Sequence, residues 1–511
     1  MIQGTSSSVG KSVLVTAFCR IFARKGIRVA PFKAQNMALN SFVTPDGLEI
    51  GRSQAAQAQA AGIEMSADMN PILLKPEGDS RSQVVVAGKP WKTLKAGEYY
   101  TAKPELWGAV TAALGRLNTA YDLIVIEGAG SPAEINLKAH EIVNMRVARH
   151  LEAPVLLAAD IDRGGVFAFL YGTLALLDEE EKRLVKGFLI NKFRGDLSLL
   201  EPGLEMLADL TDGRPTLGVI PYMHDLKIAQ EDSVFLEDKR VFESPVDPGS
   251  AGGRSGKGVQ IGVVALPRVS NYDDIDALLL EPGVRIVLAR TPSDLDGVDA
   301  ILLPGTKNTV GDLGWLTASG MADHILRMAG RGTPVGGICG GYQMLGVEIC
   351  DPAGVEGSPG THTALGMLPL RTEFETEKHT VRVMGRIHPT TGFESEDATV
   401  EGYEIHMGHS RPIGSISTAV TSASSDTGVR PLFILADGTP EGTVLGNSWG
   451  TYIHGVFDRP GFRRAWLRSL GYVPIGPPRT LSDVRSEEFD RLADHVAEHL
   501  DMMAIERIIG L

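Results

Sequence analysis

Pro334-Val335-Gly336-Gly337-Ile338-Cys339-Gly340-Gly341-Tyr342-Gln343-Met344-Leu345-Gly346 reads as a short apolar strand, a tight turn and the start of a helix. Gly337 and Gly341 flank Cys339 at two-residue spacing. A nucleophile elbow needs that pattern, because the nucleophile sits in a strained turn and a Cβ on either side would clash. Such a turn exposes the sulfur at a helix N-terminus, where the reactive thiolate is favoured. The Gly340 amide is a natural donor to an oxyanion. A second is expected from Gly305, in the loop Pro304-Gly305-Thr306-Lys307-Asn308 after the apolar run 301–303. A lone cysteine is ordinarily a small buried hydrophobe, and Cys19 and Cys350 are read that way.

A cysteine nucleophile needs a base that takes its proton and returns it to the leaving amine. Trp449-Gly-Thr-Tyr-Ile-His454-Gly455-Val456-Phe-Asp458 places His454 at the end of a strand-like run, before a glycine and a loop. His454 is the expected base. His406, in Gly402-Tyr403-Glu404-Ile405-His406-Met407-Gly408, is the competitor, in an alternating segment expected to wall the site.

Strand-like runs at 259–266, 301–303 and 334–338, separated by helical stretches, make the surrounding region an α/β domain. The first 240 residues show the same rhythm, with apolar runs at 123–126, 155–159 and 187–190 and a helical stretch at 53–61. Between them, Glu243-Ser-Pro-Val-Asp-Pro-Gly-Ser-Ala-Gly-Gly-Arg-Ser-Gly-Lys257 has the composition of turns and solvated coil. The expected organisation is a first domain over 1–242, a linker over 243–257, a second domain over 258–465 and a C-terminal helical extension over 466–511.

The first domain opens on Gly4-Thr-Ser-Ser-Ser-Val-Gly10-Lys11-Ser12 before an apolar, helical stretch at 13–22. This is the chemistry of a phosphate cradle: glycines let backbone amides converge on phosphate oxygens, Lys11 neutralises charge and the Ser12 hydroxyl reaches Mg2+. Five residues separate Gly4 from Gly10 where the usual loop has four, a variant that resembles dethiobiotin synthetase-like enzymes, which activate a carboxylate with ATP. Glu127 ends the run Leu-Ile-Val-Ile at the sheet edge where ligands bind, and is assigned to the metal together with Ser12. Asp160, at another strand end, is a further metal or substrate candidate. Lys33, in Pro31-Phe-Lys-Ala-Gln-Asn36, is placed to reach a γ-phosphate or a substrate carboxylate. In the resembling enzymes an asparagine at the position of Asn191 reads the adenine edge. Asp46 and Glu141 are weaker candidates, carboxylates in polar surroundings.

At 511 residues the chain exceeds one ordinary core. Its 43% hydrophobic and 22% charged residues are ordinary soluble values, and no apolar run is long enough for a membrane span. The N-terminus lacks the pattern of a signal peptide, so the cytoplasm is expected. Three cysteines make a disulfide framework implausible, and no CxxC or paired Cys/His spacing suggests a zinc site. A net charge of -14 without a dense Lys/Arg cluster makes nucleic acid an unsuitable partner.

Residues 4–12, 31–41, 127–136, 160–166, 191–196, 337–346, 402–408 and 452–455, in order, resemble the cobyric acid synthase family of the vitamin B12 pathway along nearly the whole chain. The resemblance implies a P-loop NTPase domain like that of dethiobiotin synthetase followed by a class I glutamine amidotransferase-like α/β domain. It implies ATP and Mg2+ as cofactors, with L-glutamine and a corrinoid as substrates. The implied reaction is amidation of the b, d, e and g carboxylates of adenosylcobyrinic acid a,c-diamide to adenosylcobyric acid. Where many class I amidotransferases carry a glutamate two residues after the histidine, this chain has Val456, so the likeness is to the branch that works with a Cys339–His454 dyad. Three residues before Gly4 leave room for only a short first strand, and the natural start is expected slightly upstream. Within the same chemistry, cobyrinate a,c-diamide synthase or a cell-wall amidotransferase ligase are the alternatives. Outside it stand a partitioning-type ATPase with a non-catalytic amidotransferase-like domain and a corrinoid carrier.

Overall fold

The computed structural model describes residues 1–78, 81–224, 241–243, 258–413 and 428–511, together with Leu226 and Ile228. Beyond Glu243, the linker expected at 243–257 lies outside the described residues. The chain divides into two units, Met1–Glu231 with Arg485–Leu511, and Asp232–Val484.

In the first unit, Ile2–Gly4, Val155–Asp160, Val185–Phe193 and Thr216–Pro221 form a parallel sheet in that spatial order. Val29–Phe32 pairs in parallel with Leu123–Ile126, and a parallel bridge between Ile2 and Glu127 sets that pair beside the first strand. Strand ends carrying Gly4, Lys33, Glu127 and Asp160 therefore converge on one edge, as parallel βα units require. A small sheet of Gln35–Met37, Ile72–Gly78, Arg81–Val86 and Lys89–Lys95 is an addition that the βα rhythm did not announce.

The C-terminal segment corrects the expected division. Phe489, Leu492, Val496 and Ile505 are buried with Val15, Phe18 and Phe22 of the helix Lys11–Arg24 in a single core. Each such side chain contributes about 1.5–3 kcal/mol when removed from water. Residues 485–511 are thus part of the first unit and not an appendage of the second. The start of the expected extension also belongs to a core: Trp466 and Leu467, in the helix Pro460–Ser469, are buried in the second unit. The boundary expected at 242 moves as well, because Val241–Glu243 pairs antiparallel with Val284–Ala289 of the second unit.

The second unit is built on a sheet in the spatial order Val241–Glu243, Val284–Ala289, Val259–Val264, Ala300–Leu303, Val335–Ile338, Ser448–Thr451 and Thr443–Leu445. Its five central strands run parallel and both edge strands antiparallel. An aromatic cluster braces the strand that leads to His454: Trp449 meets Phe462 edge-on at 5.2 Å, and Phe457 stacks on Trp466 at 5.2 Å. A second sheet centres on the long antiparallel pair Leu370–Ile387 and Thr399–Pro412, the latter carrying Gly402 to Gly408.

Candidate active site

Cys339 sits between the strand Val335–Ile338 and the short helix Gly340–Met344 with φ 51° and ψ -110°, a strained conformation for a residue with a Cβ. Its N–H donates to Thr451 O at 2.8 Å and its carbonyl accepts from Gln343 N at 3.0 Å, so the turn is held at both ends. The flanking glycines are needed for room: a Cβ at Gly341 would lie 2.1 Å from Leu303 O, and one at Gly337 would lie 2.8 Å from the Gly341 backbone. The loop after Ala300–Leu303 packs on the elbow. Thr306 Cγ2 would stand 2.6 Å from a Cβ on Gly340, and the His454 ring 2.9 Å from one on Gly305. Both glycines expected to supply oxyanion donors are therefore beside the elbow.

His454 is buried, with the Cys339 sulfur near enough for its charge to act on the imidazole. Its backbone exchanges hydrogen bonds with Tyr403, at 2.8 and 3.1 Å, and the Tyr403 ring stacks on the imidazole at 5.3 Å. A side chain at Gly402 would collide with His454 O at 2.1 Å, which accounts for the glycine that opens the 402–408 segment. On its far side, His454 Nδ1 lies 2.7 Å from Asp274 Oδ2, while Asp274 Oδ1 accepts from Gly455 N at 2.7 Å. Asp274 is 4% exposed and belongs to the 3-10 segment Tyr272–Leu280. The expected dyad is thus a Cys339–His454–Asp274 array, with Val456 a buried core residue.

Burial alone would lower the His454 pKa, but the charges on Asp274 and on the Cys339 sulfur outweigh it and push it up to about 10. The imidazole therefore carries its proton at neutral pH, at the position from which a leaving amine would take it. A histidine raised above its unfolded value of about 6.5 stabilises the fold fully below that pH and loses the contribution as pH climbs through its folded value. Thermal unfolding is expected to show a falling Tm from about pH 6.5 to about pH 10, with a flatter profile in Asp274→Asn. Superimposable profiles would count against the charged pair. Asp274→Asn is also expected to lower kcat for glutamine hydrolysis on the order of 10²- to 10⁴-fold, about 3–5 kcal/mol of barrier, with a smaller change in KM. Unchanged kcat would remove Asp274 from the array.

His406 is turned elsewhere. Its Nδ1 lies 2.8 Å from Gly408 O, its Nε2 faces Glu404, and the Tyr452 ring stacks on it at 3.9 Å. The wall reading of 402–408 holds in geometry, since Ile405 O is 3.8 Å from Cys339 Sγ.

In the first unit, the loop before the helix Lys11–Arg24 turns through left-handed Ser8 and Gly10, with φ 59° and 98°. Lys11 Nζ bonds Ser6 O at 2.9 Å and Gly130 O at 3.1 Å. Glu127, 1% exposed, gathers Ser12 Oγ at 2.8 Å, Lys33 Nζ at 2.9 Å and Gln57 Nε2 at 2.6 Å. Asp160 is held by Lys192 Nζ at 2.8 Å and by its own turn through Asp162 N at 2.9 Å. Asn191 braces the loop by donating to Val9 O at 2.9 Å while its Oδ1 accepts from Lys192 N. These two bonds engage one amide proton and one lone pair of the side chain. Asp46 lies in a turn with Thr44, and Glu141 caps the helix Met145–Leu151 through the N–H groups of Val143, Asn144 and Arg146. Cys19 is fully buried, with its thiol pKa raised by burial, whereas Cys350 is only half-buried.

Residues 1–234 match the CobQ/CobB/MinD/ParA nucleotide binding domain, and residues 260–462 match the CobB/CobQ-like glutamine amidotransferase domain. Among curated proteins, a cobyric acid synthase of Sorangium cellulosum is 50% identical, covering 100% of this chain and 98% of its own length. The chain belongs to the cobyric acid synthase family. Cobyric acid synthases of Dehalococcoides mccartyi and Desulforudis audaxviator are 49% and 46% identical, across 100% of this chain and 98% and 99% of theirs. As a member of the cobyric acid synthase family the protein is a glutamine-dependent amidotransferase ligase of cobalamin biosynthesis, with an ATP-binding domain preceding the amidotransferase domain.

Among the described residues, no helix is long and apolar enough to cross a membrane. The residue that sequence reading missed is Asp274. It stands 180 positions before His454, so a search two residues after the histidine passes it by. The available signal was the acidic run Asn271-Tyr-Asp273-Asp274-Ile-Asp276 a few residues after the apolar strand Val259–Val264, near the sheet edge that carries the elbow.

Proposed function

We propose that this chain amidates the b, d, e and g carboxylates of adenosylcobyrinic acid a,c-diamide, using ATP to activate each carboxylate and glutamine as the nitrogen source. The observation that carries the glutamine half is the buried Cys339–His454–Asp274 array. Cys339 attacks the glutamine carboxamide carbon, and backbone amides at Gly340 and Gly305 take the charge that develops on oxygen. His454 gives its proton to the departing nitrogen, leaving a thioester and ammonia. Water then attacks the thioester, His454 accepts its proton, and glutamate leaves as the sulfur is restored.

A carboxylate resists ammonia because its charge repels nucleophiles and oxide is a poor leaving group. Transfer of the ATP γ-phosphoryl group to the carboxylate gives an acyl phosphate and ADP. Attack by ammonia then gives the amide and phosphate. Lys11 and the loop at 4–12 position the phosphates, and Lys33 neutralises charge near the transferred group. The adjoining oxygens of Ser12 and Glu127 are a hard donor pair that suits Mg2+, which would supply charge neutralisation on the phosphates when bound. Asp160, engaged by Lys192, acts there by way of the loop, since Lys192 Nζ also bonds Ser8 O at 2.7 Å. Asn191 offers its remaining amide capacity to adenine.

Mass spectrometry of the corrinoid after incubation with ATP, Mg2+ and glutamine tests this reading. Stepwise exchange of hydroxyl for amino at the b, d, e and g positions is expected. Amidation confined to the a and c positions of cobyrinic acid would assign the chain to the diamide synthase reaction instead.

A further inference from the structure

In the antiparallel pair Leu370–Ile387 and Thr399–Pro412, His379 and His406 are direct cross-strand partners, next to an irregularity in the ladder. Glu404, two residues before His406, shares its face of the strand. One ligand atom from each of the three side chains falls within 4.8 Å of the others.

The distances are informative. Glu404 Oε2 lies 3.3 Å from His379 Nε2 and 3.4 Å from His406 Nε2. A charge-assisted hydrogen bond would close to about 2.7–2.9 Å. Ligand atoms on adjacent corners of a tetrahedron with metal bonds of about 2.0–2.1 Å stand about 3.3–3.4 Å apart. His406 is also prepared as a ligand. Gly408 O, 2.8 Å from Nδ1, can only accept, so Nδ1 carries a proton, and in the neutral ring Nε2 is the nitrogen left with a lone pair, facing Glu404. The Tyr452 ring stacked on His406 fixes the plane of the imidazole. The site has a buried side and an open one: Glu404 and His406 are buried, while the His379 side chain is 45% exposed and gives an entry path.

We propose that His379, Glu404 and His406 bind a divalent ion of borderline softness, Zn2+ being the best fit to two imidazoles and a carboxylate with a fourth position left to water. Such an ion ties the two strands together on either side of Ile405, whose carbonyl lies 3.8 Å from the Cys339 sulfur. Its role is to hold the wall of the thiol site in place. The ion takes no part in the amidation chemistry proposed above.

The test uses the full chain, stripped with chelator and dialysed against Zn2+ in excess Mg2+, so that the oxygen pair at Ser12 and Glu127 is filled by the harder ion. Wild type and Cys339→Ala are each expected to retain one equivalent of zinc per chain. The X-ray absorption edge is expected to show imidazole and carboxylate ligands without sulfur. His379→Ala, at a partly exposed position that tolerates truncation, and Glu404→Gln are each expected to bring retained zinc to background. Absence of zinc from the wild type, retention undiminished in His379→Ala, or sulfur in the ligand shell would each overturn the assignment, leaving His379–Glu404–His406 a polar cluster of the strand pair.

Discussion

Cys339→Ala is expected to abolish amidation supported by glutamine, by about 10³-fold or more, while amidation supported by added ammonium salts continues at the wild-type rate. The size of the loss follows from the absence of a substitute nucleophile, since Cys19 is fully buried in the first unit and Cys350 lies on a strand outside the elbow. The selectivity follows from the proposed division of chemistry, in which the thiol serves only to release nitrogen and carboxylate activation needs none of its atoms. Alanine suits the site, because the 51° φ already accommodates a Cβ and the elbow's backbone bonds to Thr451 and Gln343 do not involve the sulfur. Equal loss with both nitrogen sources would refute that division.

Lys11→Ala is expected to reduce amidation on the order of 10²- to 10³-fold with either nitrogen source, because activation precedes the attack of ammonia whatever its origin. Lys11 is 7% exposed and bonded to the carbonyls of Ser6 and Gly130, so its charge is held in the loop before any nucleotide arrives. Glutamine hydrolysis should persist in this variant, and that separates a lost phosphate contact from a misfolded protein. Ammonia-supported amidation at the wild-type rate would remove the loop from the mechanism.

How much of this was legible in the sequence depended on how local each feature is. The elbow could be read from a short stretch because its constraint is local: Gly337 and Gly341 are required by atoms of the same turn and the adjacent strand. The phosphate loop was legible for the same reason, and Ser12 and Glu127 do meet at the sheet edge. Asp274 was not, because the histidine–carboxylate contact is made in space between a 3-10 segment and a strand end, and no spacing rule connects them. The return of Phe489, Val496 and Ile505 to the first core was equally hidden, since an amphipathic helix shows that it has a buried face but not which core receives it. The long strand pair Leu370–Ile387 and Thr399–Pro412 was read only in its 402–408 portion, where alternation and glycines marked it.

In the proposed reaction, nitrogen freed at Cys339 becomes the new amide of the corrinoid. The most direct test of that transfer is to supply glutamine labelled with heavy nitrogen in the side-chain amide, with ATP, Mg2+ and the a,c-diamide, adding unlabelled ammonium to Cys339→Ala alone, and to weigh the product. Every newly formed amide is expected to carry the heavy isotope in the wild type and the light one in Cys339→Ala. Light nitrogen in the wild-type product, or a corrinoid returned without new amides, would contradict it.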